Sequence, residues 1–343
     1  MDTVMSQLTG AGDGSRFKDA AEILENGGLV AFPTETVYGL GADATNEKAV
    51  RDIYRAKGRP SDNPLIVHIG TAGELERYAA EVPEAAWKCA EAFWPGPLTI
   101  IVRAKPGVFA PSVTAGLDTV GLRMPAHPAA LGLLQASGLP VAAPSANTSG
   151  KPSPTRAEHV AADMGGKIPY ILDGGPTGIG IESTVLDLTS VPPAILRPGA
   201  VTSDMLRPVI GEVNHSAEAT DAGKATPRAP GMKYTHYSPD APVWLIDPDR
   251  EQILDAVRRI HGKGKRIALV APEGFGETGA DWYFPTGRQN DPASVSGQLY
   301  ASLRACDGTD ADIVLAATVN DEGIGGAVMN RLNKAAAGRL FRT

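Results

Sequence analysis

Lys57 and Arg59 stand one residue apart in Lys57-Gly58-Arg59-Pro60, soon after the stretch Phe32-Pro33-Thr34-Glu35-Thr36-Val37-Tyr38-Gly39-Leu40. A guanidinium can fork across two phosphate oxygens, and an ammonium adds a point charge. Much further along, Pro144-Ser145-Ala146-Asn147-Thr148-Ser149-Gly150 leaves an apolar strand and offers hydroxyls and an amide. Together the two stretches suit a polyanion held beside a small polar molecule, and they would make a poor hydrophobic core. Each also has a plain alternative. An isolated Lys-x-Arg is usually a solvated loop, and a run rich in Ser, Asn and Pro is usually a turn.

Single residues elsewhere extend the set. Arg123 ends the apolar run Val120-Gly121-Leu122, and a buried guanidinium needs an anionic partner. A substrate carboxylate and an internal salt bridge both meet that need. His68 lies on the apolar run Leu65 to Ile69, where a satisfied core histidine is the ordinary outcome. Thr36 has a turn or cap as its ordinary role. Ser183 and Arg197 sit at strand edges near glycine or proline, where backbone can approach a ligand closely. Familiar chemistries are missing: there is no G-x-x-x-x-G-K-[ST] loop, no G-x-S-x-G elbow and no H-E-x-x-H. Gly174 to Gly180 is glycine-rich but joins two strands, whereas a dinucleotide fingerprint opens a helix. Cys89 and Cys306, the two cysteines, form no C-x-x-C and read as buried thiols.

The elements that must position these residues alternate along the chain. Strands are expected at Leu29–Phe32, Leu65–Ile69, Leu98–Val102, Val120–Arg123, Val141–Ala143, Ile171–Leu172, Val185–Leu188 and Ala194–Leu196. Helices are expected from Lys18 to Glu25, from Asn46 as cap to about Ala56, from Pro83 to just before Trp94, and from His127 to Ser137 with Gly138 as stop. Thr155 and Glu158 have capping-box spacing and predict a further helix start. Short loops between some strands predict a mixed α/β sheet. From Asn214 to Thr226 the chain is small and polar, as in a linker. Pro230-Gly231-Met232-Lys233-Tyr234-Thr235-His236-Tyr237-Ser238-Pro239 is then too aromatic and basic for a bland spacer. The last hundred residues alternate again and predict a small βαβ-type unit.

Composition bounds the function. A chain of 343 residues predicts two domains, and 43% hydrophobic with 21% charged residues supports ordinary globular cores. The net charge of −7 argues against a general nucleic-acid coat but leaves room for a local positive cleft. The sequence has neither a long apolar run nor a secretory pattern at its start, so no membrane role is expected.

The motifs, in this order, resemble the YrdC-like family of threonylcarbamoyl-AMP synthases, whose hallmark pairs a Lys-x-Arg with a distant Ser-x-Asn, here Lys57, Arg59, Ser145 and Asn147. The resemblance spans roughly residues 15 to 240 and is to the longer, two-domain form. It implies a twisted open mixed sheet with a concave active-site cavity over 15–210, a linker over 211–241, and a smaller Rossmann-like α/β domain over 242–343. It implies synthesis of L-threonylcarbamoyl-AMP from L-threonine, bicarbonate and ATP, with magnesium and release of pyrophosphate and without a covalent nucleophile. It places Thr36, His68, Arg123, Ala143 and Ser183 on threonine. It places Lys57, Arg59, Asn63, Thr119, Ser145, Asn147, Ser153 and Arg197 on ATP, with Tyr234 closing over the nucleotide and Tyr237 and His236 as rivals. The implied partners are cytoplasmic proteins that pass the group to adenosine next to the anticodon of tRNA. Weak, salt-dependent tRNA contact is the competing role. A related carbamoyl-adenylate chemistry, as in hydrogenase maturation, would need cysteines and length this chain lacks.

Overall fold

The computed structural model describes residues 2–10, 13–215 and 237–342. Contacts divide these residues into two compact units. The first takes the described residues up to 149, 154–178 and 182–215. The second takes 150–153, 179–181 and the described residues from 237 on.

The first unit is built on a mixed sheet. Its strands are β1 (Val4–Gln7), β2 (Val30–Pro33), β3 (Tyr38–Asp43), β4 (Ile66–His68), β5 (Leu98–Arg103), β6 (Thr119–Arg123), β7 (Val141–Ala142), β8 (Tyr170–Asp173), β9 (Thr184–Asp187), β10 (Ala194–Arg197) and β11 (Asn214–His215). They lie in the order β1-β8-β2-β3-β7-β4-β6-β5-β9-β10-β11. β4 and β6 are parallel, β5 and β6 antiparallel, β5 and β9 parallel. The expectation of a mixed α/β sheet holds. β11 falls inside the segment expected as linker, and β1 was not anticipated.

Side-chain alternation along strands separates the two faces at the centre of this sheet. Val67, Ile100, Val102, Val120, Leu122 and Leu186 point into the main core with helix residues such as Val50, Ile53 and Tyr54. On the other face Ile66, Ile101 and Val185 form only a small apolar cluster, with Leu196 packed against it. Helices cover the first face because their apolar positions recur at helical spacing. The helix Glu47–Lys57 shows this best. Asn46 accepts the Ala49 N–H at its start, Gly58 takes φ 62° at its end, and Ala49, Val50, Ile53, Tyr54 and Lys57 are buried. Gly58 thereby ends the helix between the two cations of the Lys-x-Arg element.

The expected capping box at Thr155 does not form. The helix is Ala157–Met164, with Arg156 as cap residue and no side-chain cap bond. Tertiary bonds take the local backbone instead: Pro154 O accepts from Tyr38 N (2.8 Å) and Thr155 O from Thr177 N (3.0 Å), while Thr155 N donates to His159 Nδ1 (3.2 Å).

The second unit carries a parallel sheet of β12 (Val243–Ile246), β13 (Ile267–Ala271), β14 (Trp282–Pro285) and β15 (Ile313–Ala317), in the order β12-β15-β13-β14. The expected small βαβ-type, Rossmann-like unit is present, and β14 is an additional strand. Residues 150–153 and 179–181 join this unit through Lys151 with Asp240 (2.6 Å) and Asp307 (2.9 Å), and through the Ser296 hydroxyl on Ile179 O (2.5 Å). Among the described residues no helix is long and apolar enough to cross a membrane.

Candidate functional site

The face of the central sheet turned away from the main core carries a shallow pocket lined by Pro64, Leu65, Ile66, Thr99, Ile101, Leu117, Thr119, Gly121 and Val185. Gly121 matters to its depth. A Cβ built there would meet Thr99 Cγ2 at 3.0 Å, so any side chain would fill the floor between β5 and β4. The pocket runs along β6. Thr119 begins that strand and Arg123 ends it, about 13 Å apart at the usual strand rise.

Hydroxyls and cations gather at the Arg123 end. His68 pairs in register with Arg123. Thr99 Oγ1 lies 2.8 Å from Ser183 Oγ, and both residues are buried. Arg197 donates from Nε to Ser183 O (3.0 Å) and from Nη2 to Ser183 Oγ (3.1 Å). The structure therefore puts Arg197, expected on the nucleotide, directly on Ser183. Arg123 is 4% exposed, and its expected need for an anion is met inside the chain: Nη2 donates to Glu35 Oε1 (2.6 Å) and Nε to Gly96 O (3.2 Å). Thr36 sits in the turn after β2, where Thr34 Oγ1 accepts the Thr36 and Val37 amides (3.1 and 3.2 Å) and lies 2.7 Å from Thr36 Oγ1. Small hydroxyl side chains close such turns by bonding the backbone just ahead.

His68 is a core histidine with one ring nitrogen unpaired. It is buried edge-on to Phe32, and Nδ1 has no hydrogen-bond partner. Burial first, and then the Arg123 charge, push its pKa down to about 3. The ring is thus neutral at ordinary pH and can accept a hydrogen bond.

The Lys-x-Arg and Ser-x-Asn elements are bonded to each other. Lys57 is 3% exposed, and its Nζ donates to Ser145 O (2.5 Å) and Asn147 O (2.6 Å). The lysine that was expected on phosphate is a strut holding the Ser145–Asn147 loop. Ser149 N returns a bond to Lys57 O (2.9 Å). Arg59 lies over the Tyr54 ring (5.8 Å), and Tyr54 donates to Asn63 O (3.0 Å), so Arg59 and Asn63 share one support. The Ala143 N–H is committed to Ile66 O (2.9 Å). Of the remaining expected residues, Ser153 is buried in the second unit. Tyr234 and His236 lie outside the described residues. Tyr237 takes φ 68° and stacks on Tyr300 (5.3 Å) beneath Arg331 (5.9 Å), an anchor within the second unit.

Sequence reasoning did not single out Thr99, Glu35 or Gly121. Thr99 had a visible mark, a lone hydroxyl in the apolar strand Leu98–Arg103. Glu35 lies inside the first motif but pairs across 88 residues, which no local pattern reveals. Among the described residues no group of three His, Cys, Asp or Glu side chains could hold a metal ion.

An α/β domain that keeps one sheet face open, with hydroxyls and cations around a small pocket, is a binder of small polar ligands. Residues 22–199 match the family model Sua5_yciO_yrdC, described as "Telomere recombination", and residues 201–337 match "Threonylcarbamoyl-AMP synthase, C-terminal domain". The threonylcarbamoyl-AMP synthase of Bacillus subtilis is 49% identical over 94% of this chain and 93% of its own length. That of Halorhodospira halophila is 35% identical, covering 50% of this chain and 90% of its own length. A crystal structure of Pyrococcus abyssi Sua5 complexed with L-threonine superposes with a TM-score of 0.94 at 44% identity, covering 99% of this chain and all of that one. The chain is a member of the threonylcarbamoyl-AMP synthase family of enzymes.

Proposed function

We propose that this chain condenses L-threonine, bicarbonate and ATP into L-threonylcarbamoyl-AMP and pyrophosphate, and that the adenylate supplies the modification of tRNA next to the anticodon. The observation that carries the reading is the cluster of buried polar groups on the open face of the sheet: Arg123 and His68 paired in register, Thr99 2.8 Å from Ser183, and Arg197 on Ser183. The L-threonine complex of the Pyrococcus abyssi relative supports an amino acid as one occupant.

The chemistry needs two steps and no protein nucleophile. The threonine amine attacks the bicarbonate carbon, a C–N bond forms and water leaves, giving N-carboxythreonine. A carboxylate oxygen of that adduct then attacks the α-phosphorus of ATP. The new O–P bond replaces the bond to pyrophosphate, which departs with its electron pair. The protein's part is alignment and charge neutralisation. Thr36, His68, Arg123, Ala143 and Ser183 hold threonine. Neutral His68 accepts a hydrogen bond there. Arg59, Asn63, Thr119, Ser145 and Asn147 face the nucleotide, and Arg197 holds Ser183 in place. Lys57 contributes by fixing the Ser145–Asn147 loop and adding positive potential beneath it. Magnesium enters as part of the substrate, on the phosphates of ATP.

The test is pyrophosphate release from MgATP with threonine and bicarbonate each supplied or withheld. Release that requires both is expected. Release indifferent to threonine would refute the reading and direct attention to RNA binding.

A further inference from the structure

Arg123 is held at two of its three nitrogens. Nε bonds Gly96 O and Nη2 bonds Glu35 Oε1, so the plane of the guanidinium is fixed. Among the described residues Nη1 has no hydrogen-bond partner, although the side chain is buried. Its remaining donors form the edge that a carboxylate would take in a fork. The second oxygen of Glu35 accepts the Ala126 amide (3.0 Å), in the segment that follows β6. Glu35 therefore brackets the β2–β3 turn to the end of β6 with both oxygens, and its charge lets a cation stay buried when the pocket holds nothing.

We infer that Glu35 is a positioning residue: it sets the Arg123 fork that receives the α-carboxylate of the amino-acid substrate, an inference that rests on the synthase reading above. Both Glu35 oxygens are engaged within the chain, one by Arg123 and one by the Ala126 amide, so it acts through Arg123. His68 beside Arg123 is uncharged and offers no substitute anion. Without Glu35 the guanidinium keeps only its Nε anchor, and the fork loses its orientation.

The experiment is calorimetric titration of the full chain with L-threonine and with L-threoninamide, in which a neutral amide replaces the carboxylate. In Glu35→Ala, threonine affinity should fall about tenfold or more while threoninamide affinity shifts by less than about twofold. The Glu35→Ala/Arg123→Ala double variant should bind threonine no more weakly than Arg123→Ala alone. Equal losses for both ligands, or additive losses in the double variant, overturn the inference, because either would mean that Glu35 merely supports the fold. If circular dichroism shows Glu35→Ala unfolded, Glu35→Gln carries the same comparison, with a smaller loss confined to threonine expected. A wild-type chain that binds no threonine refutes the synthase reading instead and leaves its own distinct signature.

Discussion

Ser183 takes a hydrogen bond from Arg197 at its hydroxyl oxygen, so its own proton is free to go to Thr99, 2.8 Å away. The Thr99 hydroxyl can then donate into the pocket that it lines. Thr99→Val keeps the shape and removes this relay, and should raise the KM for threonine about tenfold, the scale of one lost hydrogen bond in a dry site. Steady-state kinetics at saturating ATP checks it, and an unchanged KM would remove Thr99 from the site. His68 gives a pH prediction. Its pKa is about 3 in the fold against about 6.5 in an unfolded chain, so between those values the unfolded chain binds a proton that the native chain refuses. Stability should therefore fall as pH drops from about 6.5 towards 3, and His68→Gln should flatten that slope in melting curves taken across the range. A slope identical in the two proteins would contradict the buried neutral ring. At this scale the residue types were legible from sequence, but their bonding was not. Lys57 announced itself as a cation, yet its burial on the carbonyls of Ser145 and Asn147 depends on an approach across 88 and 90 residues.

Helix Glu47–Lys57 was readable nearly end to end, because its boundaries are set by local chemistry. Asn46 caps it with a side-chain oxygen, Gly58 closes it in the left-handed region, and the apolar positions between fall on one face. Asn46→Ala should cost about 1 kcal/mol of stability, as cap removal generally does. The helix carries Lys57 at its last turn and Arg59 just beyond, so the same variant should weaken ATP binding more than threonine binding. Thermal melts and paired KM values read the two effects, and a stability loss with both KM values untouched would detach this helix from the nucleotide end. Where elements were misread, distant partners had decided the outcome. Thr155 has the spacing of a capping box, but its backbone is bonded to Thr177 and its neighbour Pro154 to Tyr38. β1 pairs with β8 across most of the unit, from a segment of exposed residues with little apolar periodicity. The open pocket face was also illegible: Thr99, Ile101 and Gly121 become neighbours only through the β5–β6–β9 register.

Two units in one chain were foreseeable from length and from the change of character after Gly211, whereas the boundary is less simple than any linear division. Residues 150–153 and 179–181 are threaded between segments of the first unit yet pack with the second. Pro152 O accepts from Arg304 Nη2 (2.6 Å), Lys151 pairs with Asp240 and Asp307, and Ser296 bonds Ile179 O. Gly180 is held so closely that a Cβ would stand 2.2 Å from Ser296 O. A chain ending at residue 215 should still fold, because the main core lies wholly within the first unit, but with a lower melting temperature than the full protein. Ile181 and Ser153, both buried, would lose their surroundings. Several buried groups are affected together, so a decrease of about 5 °C or more is the scale to expect. Calorimetry of the two lengths decides it. A truncated chain that melts at the same temperature would show that residues 150–153 and 179–181 draw no stability from the second unit, and one that never folds would show that the first unit's core is insufficient by itself.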